Sequence, residues 1–371
     1  MSNNTHLLFQ PFDMSGLHLA NRIVMAPMTR CRAMDKGDIP TPLMAEYYAQ
    51  RASAGLIIAE GAPISESARG YLWTPGIYSQ EQIAGWQQVA NAVHAARGII
   101  FLQLWHTGRV SHVSLQPGGI PPCGPTAVAA VGSNCFAYND SGQPGYVATS
   151  TPEPLTIDGI ALIVQQFAIA AQNARNAGLD GVEIHAANGY LIDQFLNSQV
   201  NTRTDAYGGT KENRARFLLE IVDAVSARIE KERIGVRLSP YSQFNSMPED
   251  PEVSATMLYV AGELNQRGLA YLHINDQRTL GFPPIPEQFI QQLRNVFDST
   301  LILCGGYDAV RAKQVIDIGL SDLIGFGIPF IANPDLPARL ENDWPLNEPN
   351  KNSFYGGGAW GYTDYPRYTP T

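Results

Sequence analysis

Residues 181–208 read GVEIHAANGYLIDQFLNSQVNTRTDAYG. An imidazole, a carboxamide and a phenol (His185, Asn188 and Tyr190) stand directly behind an apolar run, with Asn201, Arg203 and Asp205 close after them. Imidazole and amide groups donate hydrogen bonds, and imidazole and phenol groups can also carry protons. A connection that only closed a core would not hold so many such groups. On its own, His185 reads equally well as a catalytic or ligand histidine and as a structural one.

The ends of other apolar runs carry further polar residues. Pro27, Met28 and Thr29 follow one run, Glu60 and Gly61 a second, and Gln103, Trp105 and His106 a third. Thr29 and Gln103 can donate to and accept from a flat heterocycle. Arg237 is a cation within an otherwise apolar run, and a buried cation needs a partner. An electron-rich ring edge would serve; a structural carboxylate such as Glu60 is the alternative. Gly305–Gly306 and Gly325 with Gly327 close the last two runs. Glycines there let backbone N–H groups approach an anion, so the pair of loops favours a phosphate-bearing ligand over simple tight turns.

Several chemistries are poorly supported. No lysine ends an apolar run, against Schiff-base catalysis. There is no H-x-H or H-E-x-x-H for a metal and no G-x-S-x-G elbow. His94 and His112 read as ordinary helix or loop histidines, and His106 as structural.

The elements that must position these groups alternate. Strands are expected at 23–25, 56–59, 99–104, 182–185, 234–238, 271–274, 301–304 and 323–326, mostly apolar at consecutive positions, as when both faces are buried. Helical periodicity fills the gaps, clearest over 158–177 and 211–230. Eight strands alternating with helices predict an α/β protein with a (β/α)8 barrel, a doubly wound open sheet being the competitor. In such a barrel the chemistry sits at the C-terminal strand ends, where the residues above fall. A single domain over 1–371 is expected. Residues 107–155 form a Gly/Pro-rich capping insertion after strand three, and 343–371 an aromatic, Gly-rich tail folded back on the barrel.

Composition narrows the class. The 371 residues are 44% apolar with a formal net charge of -9, and no Lys/Arg block suggests nucleic acid or an anionic membrane. No stretch is long and apolar enough for a membrane span, and MSNNTHLLFQ lacks a secretion-signal pattern. Four scattered cysteines without a C-x-x-C pair argue against a disulfide framework or zinc site and for a cytoplasmic setting.

Taken in order, NRIVMAPMTR, GDIPTPLMAEYYAQRASAGLIIAEG, QLWHTGR, HAANGYLIDQFLNSQVNTRTDAYGG, ENRARFLLEIVDAV, IGVRLSP, IANPDLPARL and FYGGGAWGYTDYP resemble the Old Yellow Enzyme family, from about Leu8 to Tyr365. The resemblance implies an FMN-dependent ene-reductase fed by NADPH or NADH. Such an enzyme would act on small molecules with activated C=C bonds, nitro compounds or nitrate esters being further acceptors; a monomer or homodimer is expected. It implies that Pro27, Met28 and Thr29 run along the flavin and that the backbone approaches it at Gly61. Gln103 meets the pyrimidine edge, Arg237 faces N1 and O2, and Gly305, Gly306 and Gly327 cradle the phosphate. His185 and Asn188 hold the substrate's activating oxygen, and Tyr190 donates the proton. Tyr71, Trp105 and Tyr355 line the substrate cavity. Of the pair that holds the oxygen, only His185 is expected to respond to pH near neutrality.

One position departs from the family pattern. Ile328 stands where relatives place a phosphate-pairing arginine. Loss of that charge-assisted bond should cost about 1.5–3 kcal/mol. A non-catalytic or weakly flavin-binding relative that binds phenols or flavin is therefore the alternative function.

Overall fold

The computed structural model describes residues 6–370. Met1–Thr5, which open the stretch read for a secretion signal, and Thr371, the last residue of the tail, lie outside them.

Eight parallel strands close into a barrel: β1 Ile23–Met25, β2 Leu56–Pro63, β3 Ile100–Trp105, β4 Gly181–Ala186, β5 Ile234–Leu238, β6 Tyr271–Asn275, β7 Leu301–Cys304 and β8 Leu323–Phe326. The barrel predicted from the alternation is borne out, and the open sheet is excluded because β8 pairs with β1 and β3 with β4. Strand β2 runs further than expected because a register shift between Ala59 and Gly61 lets pairing with β3 resume as far as Trp105. The outer helices include α1 Pro42–Gln50, α2 Gln80–Ala95, α3 Ile157–Asn176, α4 Lys211–Ser226, α5 Val253–Arg267, α6 Glu287–Val296 and α7 Ala309–Asp317. Thr156 and Thr210 cap α3 and α4, accepting from the backbone N–H of Gly159 and Asn213. Helix α4 ends at Ser226, short of the predicted 230, and a 3-10 turn at Lys231–Arg233 leads into β5.

Side chains alternate along each strand. Leu102, Leu104, Val182, Ile184, Val236, Leu238, Leu272 and Ile274 point outward into the core shared with the helices. Inward positions at the barrel bottom are apolar: Val24, Leu56, Ile58, Phe101, Tyr271, Ile302 and Leu323, sealed by Met14 and Leu19 of an N-terminal hairpin. A Cβ on Gly235 would fall 2.1 Å from the Tyr271 ring, and one on Gly181 2.4 Å from Phe101, so these glycines make room for two aromatic rings inside the barrel. Further along the same strands the inward positions turn polar. Gln103, Glu183, His185, Arg237 and His273 are all buried there. The site thus sits on the inner face of the strands, one layer above the apolar floor.

Between β3 and α3, residues 134–138 and 144–148 pair as an antiparallel hairpin. It packs on the segment that carries Tyr71, with Leu72 N–H donating to Phe136 O at 2.8 Å. The C-terminal segment is held by buried arginines. Arg30 Nε donates to Phe354 O at 2.8 Å and Arg32 Nη2 to Ser353 O at 2.9 Å. Tyr362 stacks on Tyr47 at 4.0 Å.

Candidate active site

Strand β4 ends in a tightly specified turn. Asn188 and Gly189 both have positive φ, at 61° and 75°. A Cβ on Gly189 would meet Phe244 O at 2.7 Å, so glycine is required there. The turn is held by Asn188 N–H donating to Ser239 Oγ at 2.6 Å and Gly189 N–H to Asp193 Oδ2 at 2.8 Å. It delivers Tyr190 as the residue before a short helix, Leu191–Leu196.

Four rings meet above this turn. Trp105 lies 6.2 Å from His185 and 4.8 Å edge-on from Tyr190, and Tyr71 stacks on Trp105 at 5.6 Å. His185 and Tyr190 are 5.2 Å apart, and the Tyr190 and Tyr71 hydroxyls are 3.2 Å apart. Burial pushes the Tyr190 phenol up to about 12, so it stays protonated and able to donate. Burial, with Arg237 and His273 nearby, holds His185 well below 6.5. This corrects the expectation that His185 responds to pH near neutrality: among the described residues no carboxylate contacts its ring to favour the imidazolium. The neutral ring accepts from Ala187 N–H at Nδ1, 3.3 Å away, which leaves the proton on Nε2.

The layer beneath is a buried polar chain. Gln103 Nε2 donates to Glu183 Oε1 at 2.8 Å, and His273 Nδ1 meets Glu183 Oε2 at 2.8 Å. Burial pushes the Glu183 carboxyl up, but His273, Arg237 and Gln103 outweigh it and hold the group below its ordinary value. Because the Gln103 amide spends its NH2 on Glu183, its Oε1 is left to accept from a ligand. Arg237 Nη2 donates to Asn275 Oδ1 at 3.0 Å, while its buried Nε has no protein partner among the described residues. Glu60 is not the partner of Arg237, contrary to the alternative reading. It accepts instead from Arg30 N–H at 3.1 Å and Tyr48 Oη at 3.2 Å.

Other expected residues are distributed around this centre. Gly61 is fixed by packing, since a Cβ there would fall 2.7 Å from the Trp105 ring. Pro27 is buried, Met28 and Thr29 are half-buried, and the Thr29 hydroxyl makes no hydrogen bond among the described residues. Gly305 and Gly306 have φ of 114° and 69°. Gly327 lies beside Met28, whose Sδ is 3.6 Å from a Cβ built there. Ile328 is 46% exposed. Tyr355 sits 58% exposed on the tail, next to Gly356, whose N–H donates to Arg30 O at 2.9 Å. The opening motif divides by purpose. Asn201 Nδ2 donates to Phe195 O and Tyr207 O, both at 2.7 Å, and Arg203 joins Asp205 to the carbonyls of Pro125 and Leu155. These three brace the loop.

An unpartnered guanidinium nitrogen, a free amide acceptor, a free hydroxyl and a loop of two positive-φ glycines fit a flavin mononucleotide. Residues 7–347 match the family model of the NADH:flavin oxidoreductase / NADH oxidase family. The chain belongs to this family. It is 42% identical over 366 residues to 12-oxophytodienoate reductase 1 of Oryza sativa subsp. japonica, covering 97% of this chain and 92% of that one. Its fold matches morphinone reductase in complex with tetrahydroNAD at a TM-score of 0.94 and 50% identity, over 98% of each chain. The Old Yellow Enzyme homologue from Zymomonas mobilis matches at 0.91 and 39%, over 97% of this chain and 99% of that one. The likeness to the Old Yellow Enzyme family and the FMN-dependent oxidoreductase class are thereby borne out. No helix among the described residues is long and apolar enough to cross a membrane.

Three residues of the site were not singled out from sequence. Glu183 and His273 carry a signal, because each is a titratable residue at an inward position of an otherwise apolar strand, in register with Gln103 and Arg237. Asn275 carries none beyond its place at the end of β6.

Proposed function

We propose that the chain reduces activated C=C bonds, with His185 and Asn188 holding the activating oxygen and Tyr190 as the proton donor. Bound FMN would supply the hydride at the β-carbon and take its electrons from NADPH or NADH in a separate half-reaction. Gln103 Oε1, Arg237 Nε and the Thr29 hydroxyl would hold the ring system; Gly305, Gly306 and Gly327 would hold the phosphate, with Ile328 beside them. Pro27, Met28 and Gly61 would border the ring, and Tyr71, Trp105 and Tyr355 the substrate.

The chain's own groups account for activation. The neutral His185 Nε2–H and the Asn188 amide are preorganised donors toward an oxygen on which negative charge develops. They draw electron density from the conjugated double bond. Tyr190, protonated and buried, then gives its proton to the α-carbon. Trp105 packs edge-on against its ring and the Tyr71 hydroxyl meets its own. The two molecules that the relatives' names specify, 12-oxophytodienoate and morphinone, are conjugated ketones, which supports this substrate class.

The observation that carries the reading is the meeting of His185 and Tyr190 over a polar layer with the free donor of Arg237. The test is an absorption spectrum before and after adding FMN. A yellow protein is expected, bleached by reduced nicotinamide and recoloured by 2-cyclohexenone. A colourless protein without FMN uptake rejects it. Ile328 favours the second reading, a weakly flavin-binding relative without activity, and enone turnover with added FMN separates the two. We further place the protein in the cytoplasm as a monomer or homodimer. We take 1–371 as one domain, with 107–155 as its cap and 343–371 packed on the barrel.

A further inference from the structure

A carboxamide has a donor end and an acceptor end, and holding a substrate oxygen requires the donor end of Asn188. Its backbone is pinned: the N–H donates to Ser239 Oγ at 2.6 Å and the C=O accepts from Asn245 Nδ2 at 2.9 Å. Which end of the carboxamide faces outward is set from the end of β6 and the residues after it. Arg237 Nη2 donates to Asn275 Oδ1 at 3.0 Å. A guanidinium has no acceptor, so Asn275 can offer only its oxygen there and must turn its NH2 the other way. That NH2 donates to Asn188 Oδ1 at 2.9 Å, and Gln277 Nε2 donates to the same oxygen at 2.7 Å. Gln277 has a partner at its other end as well. Ser242 Oγ accepts from Phe244 N–H at 3.2 Å and donates to Gln277 Oε1 at 2.6 Å. Both acceptor directions of Asn188 Oδ1 are therefore filled. Its Nδ2 donates to no protein acceptor among the described residues.

We infer that Asn275 and Gln277 are positioning residues, and that a one-way chain of donors from Arg237 through Asn275 fixes the Asn188 carboxamide with its NH2 toward the substrate. The inference rests on the reading of Asn188 given above. It makes the flip state of Asn188 depend on a residue that touches neither substrate nor the proton donor. An aspartate at 275 still accepts from Arg237 but offers only oxygen to Asn188. The Asn188 amide then turns over and presents an acceptor to the substrate oxygen.

The experiment compares FMN-loaded wild type, Asn275→Asp and Gln277→Glu. 4-Hydroxybenzaldehyde is titrated against the flavin absorbance, and dithionite-reduced protein is reoxidised by 2-cyclohexenone or by dioxygen, which needs no Asn188 donor. The phenol dissociation constant is expected to rise about tenfold to a hundredfold in both variants, as when a hydrogen bond is replaced by two facing acceptors. Enone reoxidation should slow while the dioxygen rate stays near wild type. Binding within about twofold of wild type, or enone and dioxygen rates falling together, overturns the inference. If Asn275→Asp does not retain FMN, the same outcomes decide on Gln277→Glu, which has no contact with Arg237. Failure of wild type itself to bind the phenol would overturn the site reading instead.

Discussion

The hydroxyls of Tyr190 and Tyr71 lie 3.2 Å apart, with both rings packed on Trp105. Burial raises both phenols, Tyr190 to about 12 and Tyr71 well above 10.0. Both are therefore protonated at neutral pH. If Tyr71 donates to Tyr190, the proton of Tyr190 is free for a third partner.

Tyr190→Phe should lower the rate of enone reduction by about 10²–10⁴, the usual worth of a positioned general acid. Flavin reduction by nicotinamide should stay near wild type. Tyr71→Phe removes one hydrogen bond, worth about 0.5–1.5 kcal/mol, and should slow the enone step by about two- to tenfold. Rapid-mixing measurement of the two half-reactions checks both. Equal losses in both half-reactions would assign Tyr190 a merely structural part.

The pH dependence follows from the buried imidazoles. Burial pushes His106 from 6.5 to about 3, and His185 lies well below 6.5. Below pH 6.5 the unfolded chain takes up protons that these folded imidazoles refuse, so His106 lowers stability as pH falls from there toward 3 and His185 acts in the same direction. Glu60 and Asp193 act in the opposite sense. Burial raises both to about 7 from 4.5 and 3.8, so their contribution is present at low pH and lost as pH rises through about 7. His106→Gln isolates one term. Between pH 7 and 5 its urea midpoint should fall less than that of wild type; parallel curves would contradict the assignment. For the same reason the pH profile of enone turnover should carry no imidazole limb between about pH 6 and 8.

Sequence and structure agree best where one physical rule dominates. Strands β1, β7 and β8 are found at the predicted bounds because runs apolar on both faces are flanked by clear breakers. The end of β2 was not legible, because its bulge is set by pairing across to β3 and leaves no local mark. His185, Asn188 and Tyr190 stood out because three polar groups followed an apolar run. The neutrality of His185 did not, because it depends first on burial in the folded barrel and then on Arg237 and His273 from other strands. Asn275 was silent for the same reason: its importance lies in which atoms it faces.

Ile328→Arg tests the departure from the family pattern. Ile328 follows Gly327 at the end of β8 and is 46% exposed, so an arginine there has room to extend. Its charge-assisted bond to phosphate should tighten FMN binding by about tenfold to a hundredfold, measured by fluorescence titration of apoprotein. Equal dissociation constants would show that backbone donors already suffice.

The central claim is that a neutral imidazole, an oriented carboxamide and a phenol face one flavin. A crystal structure of the FMN-loaded protein with bound 4-hydroxybenzaldehyde tests it most directly. The account predicts the phenol oxygen within about 3 Å of both His185 Nε2 and Asn188 Nδ2, over the ring system, with the Tyr190 hydroxyl alongside. A ligand bound elsewhere, or Asn188 presenting its oxygen to the phenol, would contradict it.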